Sequence, residues 1–170
     1  MSRSRSCRSP IAYVTALAAA LALAARAAHA DWQYTHWGMS KDQVMLAANG
    51  ALSPTGTRRA EAPYVGLRGH YETATHRFDA AMLFDAGDAL TGVVLTQRTS
   101  AECRSTLGDL QSKYGSAQDL TTRRGPLKLM WNDAAAGNRV IYESAPAPEH
   151  GEIACRLVYE PIASSAADGL

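Results

Sequence analysis

Long hydrophobic runs, gathered basic charge and catalytic motifs are all missing from this 170-residue chain, and each absence removes a class of function. The longest mainly apolar run, Ile11 to Ala25, stops at Arg26 after fifteen residues. A bilayer span needs roughly 20, so no stable membrane anchor is expected. The two basic pairs, Arg58-Arg59 and Arg123-Arg124, stand apart in turn-rich sequence. Nucleic-acid surfaces gather basic residues on one face, whereas short isolated charge runs are ordinary solvated loop. No nucleic-acid partner is expected. There is no G-x-S-x-G elbow, H-E-x-x-H helix, phosphate loop or cysteine nucleophile. No catalytic residue and no cofactor or metal site is therefore assigned, and a non-catalytic role is expected. A hydrolase or metal-dependent enzyme whose site carries no recognised motif is the alternative.

What is present begins with an address. Arg3, Arg5 and Arg8 precede the apolar run without an intervening acid, and Ala28-His29-Ala30 follows it. A positive start, an apolar middle and small residues at an A-x-A site are the layout of a secretory signal peptide. Cleavage near Ala30 is expected, with the rest of the chain periplasmic or secreted. The leader holds four of the 17 basic residues and none of the 16 acids, so the mature chain carries a net charge of −3. It also takes Cys7, one of only three cysteines. The first mature residue is Asp31, not the cysteine of a lipid anchor. The remaining 140 residues suit one domain, expected over 31–160 with a flexible tail over 161–170.

Two helix starts stand out. Ser40 followed by Gln43 is a capping box, Met39 and Val44 are placed to staple, and Gly50 suits a left-handed end. Thr99 and Glu102 open a second helix, whose stripe is Cys103, Leu107, Leu110 and Tyr114 before Gly115. Gly108 inside it is expected to allow close approach to a sheet. Elsewhere the period is two. Strands are expected around Val65, Leu67 and Tyr71, over Phe78 to Phe84, and over Leu90 to Thr96. Three more fall at Leu127 to Trp131, Val140 to Tyr142 and Ile153 to Tyr159. The order is α-β-β-β twice, which predicts an α+β fold of tandem units, an antiparallel sheet with helices packed on one face.

That arrangement places the two remaining cysteines. Cys103 lies on the apolar stripe of its helix, and Cys155 shares a strand face with Ile153, Leu157 and Tyr159. In an oxidising compartment two lone cysteines on one interface pair, so a Cys103–Cys155 disulfide is expected. His70, Glu72 and His76 invite a metal site. A register that puts Leu67 and Val65 on the side of Phe78 and Met82 sends His76 to one face and His70 and Glu72 to the other, however, and zinc requires three or four convergent ligands. Glu143, Glu149, His150 and Glu152 flank the Pro146–Gly151 loop and are read as keeping it solvated. Trp32, Tyr34, His36 and Trp37 form an aromatic cluster with two readings. It packs across the domain, or Trp32, Tyr34 and Trp37 form a partner-binding surface.

The segment Trp37-Gly38-Met39-Ser40-Lys41-Asp42-Gln43-Val44 resembles the G-M-[ST]-x-x-x-V helix start of small exported proteins of the SmpA/OmlA type. Those proteins share an architecture with the β-lactamase-inhibitor-protein (BLIP-like) fold, a tandem of helix-plus-meander units. The resemblance implies a protein that binds other proteins, in envelope assembly or as an inhibitor, without catalysis. Asp31 stands where the lipoproteins carry their lipidated cysteine, and this chain has two units where they have one. Its expected partner is another envelope protein or a small ligand.

Overall fold

The Ser40 capping box closes in both directions: the Ser40 hydroxyl accepts the Gln43 N–H, and the Gln43 side chain accepts the Ser40 N–H at 2.9 Å. Helix α1 (Lys41–Ala47) follows, and the chain leaves it through Asn49 and Gly50, both at positive φ. Helix α2 (Ser100–Tyr114) is capped by Thr99 and ends at Gly115, at φ 73°. The computed structural model describes residues 31–56, 62–146 and 153–162; the expected leader, Arg58-Arg59, the loop residues Glu149, His150 and Glu152, and residues 163–170 of the tail lie outside them. No helix among the described residues is long and apolar enough to cross a membrane.

The strands are β1 (Asp31–Trp32), β2 (Thr35–His36), β3 (Leu52–Pro54), β4 (Tyr64–Glu72), β5 (Arg77–Phe84), β6 (Leu90–Gln97), β7 (Gln118–Asp119), β8 (Leu127–Asp133), β9 (Asn138–Pro146) and β10 (Ile153–Pro161). The first two form a small hairpin of their own. The other eight make one antiparallel sheet in the order β3-β4-β5-β6-β10-β9-β8-β7. This is an α+β fold. The last strand in sequence therefore sits in the middle, between β6 and β9. It passes the boundary expected at residue 160 through Pro161, and the Ile162 N–H donates to Gly137 O at 2.8 Å. The outer strands are two and three residues long, with Pro54 at one edge, which leaves little unpaired backbone for another chain to template on.

Period two explains which face is buried. Leu67, Met82, Val93, Leu95 and Leu157 point to one side, and Val44 of α1, Leu110 of α2 and Trp32 join them in a single cluster. At Gly69 the Ala51 carbonyl lies where a side chain would begin, 2.1 Å from an ideal Cβ, so glycine lets β3 close onto β4.

Two expectations fail here. Val65 does not share a face with Leu67, because a bulge at Gly66 shifts the register: Val65 pairs with Leu83, and Leu67 with Met82. A Cβ at Gly66 would meet the Phe84 ring at 2.6 Å. Gly108 does not approach the sheet; it is exposed, and a Cβ there would touch nothing within 4 Å. Its cost in helix propensity, about 1 kcal/mol against alanine, has no packing return.

Candidate functional site

The apolar stripe of α2 lands on β10. Cys103 and Cys155 are both buried, and their sulfurs stand 2.13 Å apart, a disulfide joining the second turn of the helix to the central strand. The Tyr142 hydroxyl from β9 donates to Cys103 O at 3.1 Å, fixing the same turn from the neighbouring strand. Further along, Leu110, Lys113 and Tyr114 of α2 face the sheet and Trp32 and Gln33 of the N-terminal segment. Between them lies a cleft of about 420 Å³, within the range of small-molecule sites.

Aromatic rings wall this cleft. Trp32, 5% exposed, lies 5.0 Å from Tyr71 and 6.4 Å from Tyr159 between ring centroids. Tyr71 stacks on Phe78 at 6.1 Å, and Tyr114 closes the helix side, 6.4 Å from Trp131. Burial raises the Tyr159 pKa strongly, with smaller contributions from Tyr114, Tyr71 and the Asp133 carboxylate. Burial also raises those of Tyr71 and Tyr34; Lys113 pulls the first back down, and Tyr71 adds to the second. All three phenols stay protonated near neutrality. Gln33 donates to the Tyr71 hydroxyl at 2.6 Å, and the Trp37 indole N–H donates to Asn138 Oδ1 at 3.0 Å, so the N-terminal segment is tied down on both sides of the cleft.

The aromatic cluster expected after the leader thus divides. Trp32 is core, Trp37 is half-buried and anchored, and Tyr34 and His36 are exposed. The packing reading describes Trp32 and Trp37, not Tyr34 and His36.

The three metal candidates do not converge. Tyr71 faces Phe78 and His70 faces Asp79 in the β4–β5 hairpin. His76 points to the helix side, with Nε2 2.6 Å from Asp109 Oδ2, while His70 meets Asp79 at 3.2 Å and Glu72 meets Arg77 at 2.7 Å. His76 Nδ1 also lies 3.4 Å from the Thr106 hydroxyl, an order of groups that superficially suggests carboxylate, base and nucleophile. The hydrogen bonds direct it otherwise. Gln97 Nε2 donates to Arg77 O, which turns Gln97 Oε1 toward Thr106, and the Thr106 hydroxyl donates to it at 2.7 Å. Its single proton is committed away from the imidazole, and Thr106 is 3% exposed. The chain Asp109–His76–Thr106–Gln97 latches α2 to the β4–β5 turn.

Glu143 is not a loop-solvating charge. It lies on β9, on the face away from the helices, between Lys128 of β8 at 2.8 Å and Arg156 Nε of β10 at 2.6 Å. Burial works against its charge, but the hydrogen bonds and charges of Lys128 and Arg156 more than offset it, so the carboxyl titrates below its ordinary 4.5. A depressed carboxyl contributes stability above its unfolded-state pKa and loses it as pH falls through the folded value. Glu143→Gln is therefore expected to cost about 1–2 kcal/mol at pH 7. The gap should narrow as pH falls through the folded value and wild type itself becomes protonated; urea unfolding across that range measures it, and a gap independent of pH would refute the account.

The cleft was not legible as a site. Asp109 and Lys113 lie off the apolar stripe of α2, and Asp133 lies at the end of β8. The one available signal was that Tyr114 and Tyr159 both end apolar stripes that meet face to face. Comparison of the chain with protein-family models, with curated proteins and with solved structures finds no match.

Proposed function

We propose that this is a non-catalytic binding protein of an oxidising extracytoplasmic compartment, taking a small ligand in the cleft between α2, the N-terminal segment and the sheet. One observation carries this reading: a cleft of about 420 Å³ in which Trp32, Tyr71, Tyr114 and Tyr159 alternate with polar and charged side chains, among them Gln33, His76, Asp109 and Asp133. Such a surface is apolar enough to desolvate a ligand and specific enough to orient it. The compartment rests on the leader-like first thirty residues and on the Cys103–Cys155 pair.

The tandem α-β-β-β origin belongs to the same proposal. Its support is the mirrored strand order, in which β3-β4-β5-β6 meets β10-β9-β8-β7 at the sheet centre, each set preceded by a capped helix. The short outer strands make each set four strands, not three. Kinship with the SmpA/OmlA and BLIP-like proteins rests on the Trp37–Val44 segment and this element order.

Ala136 lines the cleft and is half-buried, so Ala136→Trp fills it from the β8–β9 turn. In a thermal-shift screen of small molecules against the purified, oxidised protein, a ligand at 100 times its Kd stabilises by about 2.7 kcal/mol. Hits are expected for the wild type and lost in Ala136→Trp. A chemically broad panel giving no shift, or shifts that survive Ala136→Trp, would count against the cleft.

A further inference from the structure

We infer that the cleft takes a small organic cation, a quaternary ammonium group, against the faces of Tyr71, Tyr114, Tyr159 and Trp32 with Asp133 as its counter-charge. This rests on the reading of the cleft as a ligand site and names the class of ligand. The rings come first. Four aromatic side chains from four separate segments, the N-terminal segment, β4, α2 and β10, converge on one cavity. A cation within about 6 Å of such a ring face is attracted by the ring quadrupole, and the attraction grows on desolvation.

One wall already carries such a contact. The Lys113 ammonium sits 4.6 Å from the centre of the Tyr114 ring, at the rim of the cleft. The charged groups facing the cavity then decide the sign. They are Asp109, Lys113 and His76 beside Asp133, and Asp109 is engaged by His76 at 2.6 Å. Asp133 is half-buried, accepts the Ala136 N–H at 3.1 Å, and lies near enough to Tyr159 for its charge to be felt at that hydroxyl. Its carboxylate is the interior charge of the cleft; Lys113 is exposed and can swing into solvent.

The chemistry also says what kind of cation. A metal ion demands several converging oxygen or nitrogen ligands, and no group of three or more His, Cys, Asp or Glu able to hold one occurs among the described residues. A primary ammonium carries three donors, which the polar groups of the lining would meet at the expense of ring contact. A quaternary ammonium has no donors to satisfy and is recognised by aromatic rings with a carboxylate nearby, and both line this cavity.

The test compares three probes by calorimetry on the purified, oxidised protein: choline, its uncharged isostere with carbon in place of nitrogen, and benzoate. Choline is expected to bind about tenfold more tightly than the isostere. Asp133→Asn should abolish most of that preference. Lys113→Gln, an exposed substitution, should strengthen choline binding severalfold by freeing the Tyr114 face. Equal binding of choline and its isostere, or preferred binding of benzoate that Lys113→Gln weakens, would overturn the cation and leave the cleft a ligand site of another class. Failure of all three probes also overturns the cation; the cleft itself is judged separately by whether any compound is displaced in Ala136→Trp.

Discussion

Removing the Cys103–Cys155 bond is expected to lower the unfolding free energy by about 4 kcal/mol, the chain-entropy value for a loop of this length. The bridged residues are 52 apart in sequence. The effect should be large because of where the bond lies. β10 is the last strand made and the one that joins the two sides of the sheet, pairing with β6 and with β9. Without the bond, the reduced unfolded chain must bring β10 home over the whole separation, with side-chain packing and the Ile153 N–H to Ser100 Oγ hydrogen bond at 2.9 Å left to hold α2 against it. Both cysteines are buried, at 2% and 3% exposure, so the folded protein should resist thiol reductants until denaturant is added. Urea unfolding of the oxidised protein against a Cys103→Ala/Cys155→Ala variant measures the difference. Equal midpoints, or free thiols in the protein isolated under oxidising conditions, would sink the prediction.

That bond was legible in the sequence because both periodicities point at it. A stripe at helical spacing places Cys103 on the buried side of α2, alternation places Cys155 on the buried side of β10, and a helix on a sheet brings the faces together. The same reasoning found both helix caps and the hairpin register that separates His76 from His70 and Glu72. It failed where a single residue breaks the period. Gly66 sits at a bulge that turns Val65 away from Leu67, and the space its missing side chain leaves is taken by the Phe84 ring of the partner strand. Glu143 was misread because strand length is poorly marked by composition. β9 runs on through Glu143, Ser144 and Ala145, held by pairing with β8 and β10 rather than by propensity. The cleft was invisible for a related reason: its polar groups come from the solvent side of a helix and from a turn, positions on which periodicity is silent.

Trp32→Ala is the second substitution expected to have a large effect, costing about 3–5 kcal/mol. For a domain of this size, that lowers Tm by on the order of 10 °C or more. The residue is 5% exposed and packed on Tyr71 and Tyr159. Its segment is folded to hold it there. The Thr35 hydroxyl donates to Trp32 O at 2.7 Å, and Gly38 and Leu90 exchange the chain with the sheet through Gly38 N–H to Leu90 O at 2.9 Å and Leu90 N–H to Met39 O at 2.8 Å. Tyr34 supplies the control. It is 38% exposed and touches Trp32 only by its edge, at 6.3 Å, so Tyr34→Ala should stay within about 0.5 kcal/mol of wild type. Differential scanning calorimetry of the two variants separates the roles. A small effect of Trp32→Ala would mean that the N-terminal segment rests on the domain without stabilising it, and the cleft it roofs would then lack a fixed wall.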